Sequence, residues 1–541
     1  MIIYWHNLNG DNDATDRSNY STDQAGTTPA AAGSMAADDL RFDGTGAGAG
    51  DDWVISPGGT VEASTIDFTN HPLLVGTEDL AVPANRSTLI ATTITNLGAG
   101  RANGNAGPLG GVVRVNAVAL SLSAGSISSG ANRVTFEYTG LTPKCSVAGS
   151  GTTIFARESF VLDDSTIEFE STLSDGGNYR NGVQFAAPGG QIRKTGPGPL
   201  RHQGGRDGYA NVGSVDVEEG ELGLGSWEAD GDPTGLDPVD PFGVPITFSA
   251  DTGLQLESSN NGVRWGLDLR VPALATGVHI RFTGGPQRIA AGSAFDAQED
   301  VTLENPFRAS RVLLAPAFSG SGEITLEFSG TGSGSASYRI ETGGPIGNQF
   351  NVTTTTGTEA RRLELSPGTE ITADLGVSVL NDLVTVEEGA KLTLAASATI
   401  GGVELLGGTL DLDGFTLTVP SFSMETGAGT LVPNGGGIVA SGSIVLLSGT
   451  LADPAGSTFK SAQWVSGIDA VGTAEWFVDA EESADHTAGT LTFSTAVGVP
   501  GTIYSGATDG GNNTNWAIAQ DTYWRSSLGL GIGIGLKPVR G

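Results

Sequence analysis

The sequence predicts an all-β protein made of many short, stacked strands, and three observations lead to this fold class. Of 541 residues, 83 are glycine, about twice the usual share, and only 16% are charged. Apolar residues still reach 38%, which is too many for a disordered chain. Short runs that alternate apolar and polar residues recur along the chain. We therefore expect a parallel β-solenoid with capping β segments, or one interrupted by β-sandwich-like modules.

Residues 1–50 are predicted to form an N-terminal cap or attachment segment. Trp5 is followed by Asn19-Tyr20-Ser21, then Pro29, then Asp38-Asp39-Leu40-Arg41-Phe42. This order resembles the opening of many secreted bacterial repeat proteins, where it implies the first coil or cap of a solenoid. A solenoid needs such a cap because an unpaired strand edge invites aggregation.

Residues 51–140 are predicted to form a β-rich module. Apolar and polar residues alternate in four runs that are bounded by Gly, Asn or Pro: Val61 to Phe68, Ser87 to Leu97, Val112 to Leu122, and Arg133 to Tyr138. Alternation with period two places one set of side chains inside and the other outside.

Residues 141–350 contain the most specific pattern, within Ile192–Leu224. It reads Ile192-Arg-Lys194-Thr-Gly196-Pro-Gly198-Pro-Leu200, then Tyr209, then Val215-Asp-Val217-Glu-Glu-Gly220-Glu-Leu222-Gly-Leu224. This pattern resembles the passenger-associated strand repeat of bacterial autotransporters. The resemblance implies a right-handed parallel β-solenoid, and it is specific for fold rather than for function.

Residues 351–515 show the clearest period. Gly408-Thr-Leu410, Gly429-Thr-Leu431 and Gly449-Thr-Leu451 follow one another at spacings of 21 and 20 residues, which matches one solenoid coil. Val384-Thr-Val386-Glu-Glu-Gly389 also repeats the earlier Val215–Gly220 pattern, so we expect the same coil type in both halves. Residues 516–541, which alternate Gly with Leu and Ile from Leu528 to Leu536, are predicted to be a C-terminal capping strand.

Composition excludes some function classes. The net charge of −33 predicts a surface that repels nucleic acid and anionic lipid, since binding phosphates requires Lys and Arg. Cys145 is the single cysteine, so an intrachain disulfide is excluded and a buried free thiol is expected. We read no signal peptide at Met1-Ile-Ile-Tyr and no membrane helix, and we expect no C-terminal membrane domain of the autotransporter type.

A loop at residues 226–245 is predicted to leave the coil stack, because it holds Trp227 and four prolines. Four carboxylates, from Asp230 to Asp240, lie in this loop around Gly235, an arrangement that suits Ca²⁺. A solvated acidic loop is the alternative. Weaker versions at Asp11-Asn-Asp13-Ala-Thr-Asp16 and Asp411-Leu-Asp413-Gly414 are typical of ordinary turns.

Residues for sugar binding or catalysis are less clearly marked. Tryptophans could stack on sugar rings, although core or cap positions are commoner for this residue; the candidates are Trp227, Trp265, Trp464, Trp476, Trp516 and Trp524. Arg361-Arg362 is a weak candidate for the basic flank of a lyase site. With 60 Asp and Glu, no carboxylate pair stands out, so we name no catalytic, cofactor-binding or metal-binding residue and leave enzymatic activity open.

Taken together, these features predict a structural and adhesive protein of a bacteriophage particle: a fibre, spike or capsid-attached protein. Expected partners are further copies of itself in a homotrimer, other virion structural proteins and host surface polysaccharide, without nucleic acid, membrane insertion or a cofactor. The protein would be made in the host cytoplasm and released by lysis. A bacterial secreted or surface adhesin of the autotransporter-passenger type and a polysaccharide depolymerase tailspike are the alternatives.

Overall fold

The computed structural model describes the chain in these ranges: 1–11, 13–42, 44–45, 53–55, 59–67, 74–76, 87–97, 113–122, 134–138, 143–147, 153–161, 166–171, 177–180, 182–203, 209–225, 240–258, 262–306, 311–329, 336–354, 361–376, 382–424, 429–504 and 506–518. The fold is an all-β solenoid of about 13 turns, as the sequence predicts. The chain divides into two compact units, Met1–Glu304 and Asn305–Gly541. The predicted division into five segments stays a prediction.

One 3-10 helix, Arg17–Asn19, lies in the first unit. The strands up to the boundary of that unit are β1 (Ile2–Trp5), β2 (Tyr20–Ser21), β3 (Asp39–Arg41), β4 (Trp53–Ile55), β5 (Thr60–Asp67), β6 (Leu74–Gly76), β7 (Ser87–Leu97), β8 (Val113–Leu122), β9 (Val134–Tyr138), β10 (Lys144–Val147), β11 (Thr153–Val161), β12 (Thr166–Ser171), β13 (Gly177–Arg180), β14 (Gln184–Phe185), β15 (Gly190–Thr195), β16 (Leu200–Gln203), β17 (Val212–Val217), β18 (Glu221–Gly225), β19 (Ile246–Phe248), β20 (Gly253–Ser258), β21 (Val263–Trp265), β22 (Leu269–Val271), β23 (Val278–Gly284), β24 (Gln287–Ile289), β25 (Ala294–Ala297) and β26 (Val301–Asn305).

The strands of the second unit are β27 (Arg311–Leu314), β28 (Ala317–Ser319), β29 (Ile324–Phe328), β30 (Ala336–Ile340), β31 (Pro345–Thr354), β32 (Arg361–Leu365), β33 (Glu370–Asp374), β34 (Asp382–Glu387), β35 (Lys391–Leu394), β36 (Ala398–Thr399), β37 (Gly402–Leu406), β38 (Thr409–Asp411), β39 (Thr416–Val419), β40 (Phe422–Met424), β41 (Thr430–Val432), β42 (Gly437–Ala440), β43 (Ser443–Leu446), β44 (Thr450–Leu451), β45 (Thr458–Ser466), β46 (Ala470–His486), β47 (Gly489–Gly498), β48 (Gly501–Ile503), β49 (Ala507–Asp509) and β50 (Trp516–Ile518).

The N-terminal end of the first unit is capped, as predicted. Strand β1 pairs in parallel with β3 but antiparallel with β2, so the parallel stack ends there. Three buried aromatic side chains fix this cap: the Tyr20 hydroxyl donates to the carbonyl oxygen of Ala14 at 2.9 Å and accepts from Trp53 Nε1 at 2.6 Å, and Trp5 packs edge-on against Tyr20. These bonds satisfy the Tyr20 hydroxyl and the Trp53 indole, whereas both ring nitrogens of the neighbouring His6 are buried without a hydrogen-bond partner among the described residues.

The core of the first unit consists of in-register columns of apolar side chains. Parallel pairing brings together Ile167, Ile192, Val215, Ile246, Leu269 and Phe295, all at most 2% exposed. A second column contains Leu200, Leu222, Leu254, Ile280 and Leu303. Burial of each such side chain stabilises the fold by about 1.5–3 kcal/mol. Each coil thus buries its apolar face only against its neighbours.

The predicted strands of residues 51–140 are confirmed within one residue at each end of the described strands. Strand β7 spans Ser87–Leu97 and pairs in parallel with both β5 and β8. All strand pairings described within 51–350 are parallel, so the described parts of this range have the solenoid architecture rather than that of β-sandwich-like modules.

The 20-residue period of the second unit is confirmed as one coil. Leu392, Leu410, Leu431 and Leu451 pair in register in one inner column, and all four are buried. Strand β50 pairs with β48 at the C-terminal end of the described chain. The rest of the predicted capping strand lies outside the described residues. In the part of the chain that the structure describes, no helix is long and apolar enough to cross a membrane.

Candidate functional site

The adhesin-type repeat forms two successive coils, and each of its marked residues has a structural role. Lys194 lies in an inner column between Phe169 and Val217, where an apolar residue would be expected. Its Nζ donates to the carbonyl oxygens of Thr195, Gly196 and Glu219 at 2.7–2.9 Å. Burial lowers the pKa of Lys194 to about 8. The lysine therefore holds two stacked turns together and is not available to a ligand.

The glycines of the repeat make those turns possible. Gly196 and Gly220 have φ of +77° and +70°. A Cβ at Gly220 would lie 2.6 Å from the carbonyl oxygen of Gly196 in the preceding coil. Gly389, in the second occurrence of the Val-x-Val pattern, also has a positive φ of +71°. The repeat thus marks how the coil turns rather than what the protein binds.

The tyrosine of the repeat belongs to an interior aromatic cluster. Its hydroxyl is hydrogen-bonded to Nδ1 of His202. The imidazole of His202 also packs edge-on against Phe169, at a ring separation of 5.2 Å, and against Phe242. Tyr209 and Phe242 pack edge-on at 4.7 Å. A histidine in these surroundings is a core residue.

Protonation of His202 is expected to couple stability to pH. Burial, with the charge of Lys194 as a smaller cause, lowers the pKa of His202 from 6.5 to about 3. The unfolded chain binds this proton first, so the free energy of unfolding should fall by about 1.4 kcal/mol per unit as the pH drops from 6.5 towards 3. Urea denaturation across this range checks the expectation: His202→Phe should show a shallower slope than the native sequence. Equal slopes would contradict it.

Charged side chains on the outside of the first unit pair across successive coils. Lys144, Glu168, Arg193 and Asp216 occupy one outward column. Lys144 Nζ lies 3.1 Å from Glu168 Oε1, and Arg193 Nε donates to Glu218 Oε1 at 2.7 Å. These hydrogen bonds raise the pKa of Arg193. Each of these two basic groups is thus engaged by carboxylates of a neighbouring coil.

A second charged network surrounds Glu221. Its Oε2 lies 3.2 Å from His279 Nε2 and 3.5 Å from Arg281 Nη1. Arg281 Nε in turn donates to Glu304 Oε2 at 2.7 Å. Glu221, His279, Arg281 and Glu304 thus tie several coils together through a chain of polar contacts.

Arg361 and Arg362 do not form the basic flank that a lyase site would need. Arg361 is 5% exposed, whereas Arg362 points outward and lies 3.6 Å from Glu364. Adjacent strand residues face opposite sides, so the two guanidinium groups separate. On the outer side, Arg339 donates to both carboxylate oxygens of Glu387, at 2.7 and 2.9 Å.

Most of the tryptophans that the structure describes are core residues, the position that is commoner for this residue type than exposure to a sugar. Trp265 donates to Gln287 Oε1 at 2.9 Å, and Trp464 and Trp476 are fully buried. Trp516 is partly buried, packs edge-on against Trp464 and covers Gly501. Trp227 and Trp524 lie outside the described residues. Trp265, Trp464 and Trp476 therefore present no ring face to a sugar.

The predicted acidic turns are used internally where they are described. Asp16 Oδ1 accepts from the backbone N–H of Ser18, and Asp411 Oδ1 accepts from Asn434 Nδ2. Of the Asp230–Asp240 loop, residues 230–239 lie outside the described part. Asp240 Oδ1 accepts two backbone N–H groups, and burial raises the pKa of its carboxyl group. Within the described ranges, no group of three His, Cys, Asp or Glu residues could hold a metal ion.

The lone thiol has the predicted character. Cys145 is fully buried, and burial raises its pKa to about 12. A thiol with that pKa is protonated at neutral pH and is a poor nucleophile.

A groove of about 280 Å³ runs across five coils of the second unit. One side is an outward column that contains Thr399, Thr418, Val439 and Lys460 in register. The other side is the adjacent outward column, which contains Pro420, Ser441, Ala462 and Glu481 at the bend into the next strand. Sequence reasoning missed this groove.

The groove mixes polar side chains that are already hydrogen-bonded, such as Ser441 and Ser461, with two that are not. Thr418 and Glu481 have no side-chain hydrogen bond or ion pair within the described part of the chain. Lys460 has a single ion-pair contact, to Asp479 at 3.7 Å, and is half exposed. Val439 and Pro420 supply apolar surface between them. The groove thus combines free hydrogen-bonding groups with aliphatic surface, as small-molecule and sugar sites do.

The chain matches no protein-family model, no curated protein and no solved structure. The resemblance of Ile192–Leu224 to the passenger-associated repeat therefore describes a coil type and does not establish family membership. The surface that the coils present is therefore the basis for any functional proposal.

Proposed function

We propose that this protein is a structural and adhesive component of a bacteriophage particle, a fibre, spike or capsid-attached protein that contacts a host surface polysaccharide. The observation that carries the proposal is the contrast between the paired charges on the coil faces and the free polar groups of the groove. Paired faces suit a stiff scaffold, and a groove with free hydroxyl and carboxylate groups suits a weakly held ligand.

Composition supports the same proposal. A net charge of −33 keeps the surface soluble and disfavours nucleic acid. A fold stabilised by coil stacking needs no disulfide, so it can mature in a reducing cytoplasm before lysis. Association into a homotrimer and attachment to other virion proteins are part of this proposal. Several copies would turn weak individual contacts into avidity.

A bacterial surface adhesin is the second candidate, and the repeat itself favours it. The coil built around Lys194 and Gly220 resembles the autotransporter passenger repeat, and such passengers act outside the cell. The two proposals place the same scaffold in different locations.

Mass spectrometry of density-purified phage particles and of envelope fractions from the source culture tests the proposal. Peptides that cover the chain, present in particles at a fixed ratio to the major capsid protein, are expected for a virion component. Their absence from particles, together with a processed form in the envelope or medium, would overturn the virion proposal and favour the adhesin.

A further inference from the structure

We infer that the groove of the second unit binds an extended, uncharged polysaccharide that lies along the stacking direction with about one sugar ring per coil. The inference rests on the proposed adhesive function and specifies the ligand of that function. Four features of the groove support this inference: its repeat distance, its chemistry, its charge and the pairing of its strands.

The repeat distance favours a polymer. Thr399, Thr418, Val439 and Lys460 are equivalent positions on four successive coils. Neighbouring coils in a parallel stack lie about 4.8 Å apart, so these four positions span about 14 Å. Each pyranose ring in an extended, equatorially linked chain advances by a length similar to this coil-to-coil spacing. Successive rings would therefore lie over successive coils.

The chemistry favours a sugar over a purely apolar ligand. The Thr418 hydroxyl can donate to and accept from a sugar hydroxyl, and it has no competing partner in the described part of the chain. Pro420 on the same coil and Val439 on the next present aliphatic surface, which suits the C–H face of a ring. Without an aromatic platform, the affinity of a single chain should be low, in keeping with multivalent attachment.

The charge of the groove favours a neutral chain. Among the described residues that line the groove, Lys460 is the single cation, and Asp479 lies 3.7 Å from it. The carboxylate of Glu481 adds a further negative charge at the same end. In a protein of net charge −33, these groups disfavour chains of uronic or sialic acids.

The strand pairing disfavours an extended peptide as the occupant. A peptide that joins a sheet needs an unpaired strand edge. The strands beneath the groove, β39 and β42, are each paired with further strands of the stack. Their backbone N–H and C=O groups are therefore already used.

The test measures binding of the full-length protein to β-1,4-linked glucose and N-acetylglucosamine oligomers, from dimer to hexamer, with galacturonate oligomers of equal length for comparison. Isothermal titration calorimetry should show affinity rising up to about the tetramer and then levelling off, with weaker binding of the uronates. Affinity independent of length, preference for the uronates, or no binding by any oligomer would overturn the inference. Release of shorter oligomers would overturn a purely adhesive groove.

Matched variants locate the site. Thr418→Val should weaken tetramer binding about tenfold, the loss expected for one hydrogen bond. Thr416→Val, on the same strand and the same face but outside the groove, should leave binding unchanged. Ser441→Trp should abolish binding by filling the groove. Thermal unfolding checks that all three variants fold, and binding unchanged in Thr418→Val and Ser441→Trp would overturn the site.

Failure of this inference is distinguishable from failure of the proposed function. If particles carry the protein and adsorb through it while groove variants adsorb normally, the groove assignment falls and the adhesive function stands. If the groove binds the oligomers but particles lack the protein, the virion proposal falls and the groove stands.

Discussion

Replacing Lys194 with methionine is expected to lower the free energy of unfolding of the first unit by about 3 kcal/mol. Methionine fills nearly the same volume in the inner column but cannot donate to the carbonyl oxygens of Thr195, Gly196 and Glu219. Buried carbonyl groups without donors carry their full desolvation cost, which outweighs the relief of removing a buried charge. The two stacked turns of the repeat should open first.

Urea denaturation gives the overall loss, and hydrogen exchange of the amides in Gly190–Thr195 locates it. Lys144→Met is the control, because the Lys144 side chain is 37% exposed and pairs with Glu168 on the outside of the same unit. That change should cost less than about 1 kcal/mol. Similar losses in the two variants would mean that the three carbonyl contacts do not stabilise the turns.

Gly220→Ala should also destabilise the first unit by about 3 kcal/mol, for a steric reason. The φ of +70° already disfavours any residue with a Cβ. The added Cβ would also lie 2.6 Å from the carbonyl oxygen of Gly196 and 2.9 Å from backbone atoms of Pro197. Because these atoms belong to the preceding coil, relief would require the two coils to separate.

Gly243→Ala separates the conformational cost of a positive φ from the steric cost of the added Cβ. Gly243 has nearly the same φ, +68°, but a Cβ there would meet nothing within 4 Å. It should therefore cost only the conformational part, about 1–2 kcal/mol. Differential scanning calorimetry of both variants provides the comparison, and equal losses would show that contact between stacked turns contributes nothing.

Sequence patterns predicted the coils well because each coil is specified by a short, contiguous stretch of sequence. A coil must turn at fixed intervals and return an apolar residue to the same column, so Leu410, Leu431 and Leu451 recur with the period of the stack. The ends of β7 follow directly from the alternation of its residues. Lys194 was marked by its motif, but its role depends on Glu219 in the next coil, which no local pattern shows.

The groove could not be predicted from the sequence. Thr418 and Ser441 lie 23 residues apart and become neighbours only through the register of β39 and β42. Neither residue is unusual for a strand or a bend. The tryptophans, by contrast, were candidates for sugar binding because of their residue type alone. Those that the structure describes are largely buried, because the coil interior is wide enough to hold an indole ring beside Phe459 or His486.

The leucine column of the second unit has an evolutionary consequence. Since Leu410, Leu431 and Leu451 offer each neighbour the same contact, one whole coil could be lost or duplicated and the flanking coils would still match. Insertions and deletions in such a gene should therefore occur in steps of about 20 codons that keep the reading frame. Related lineages could thus gain or lose a coil of the second unit by recombination between similar segments without redesigning its interior.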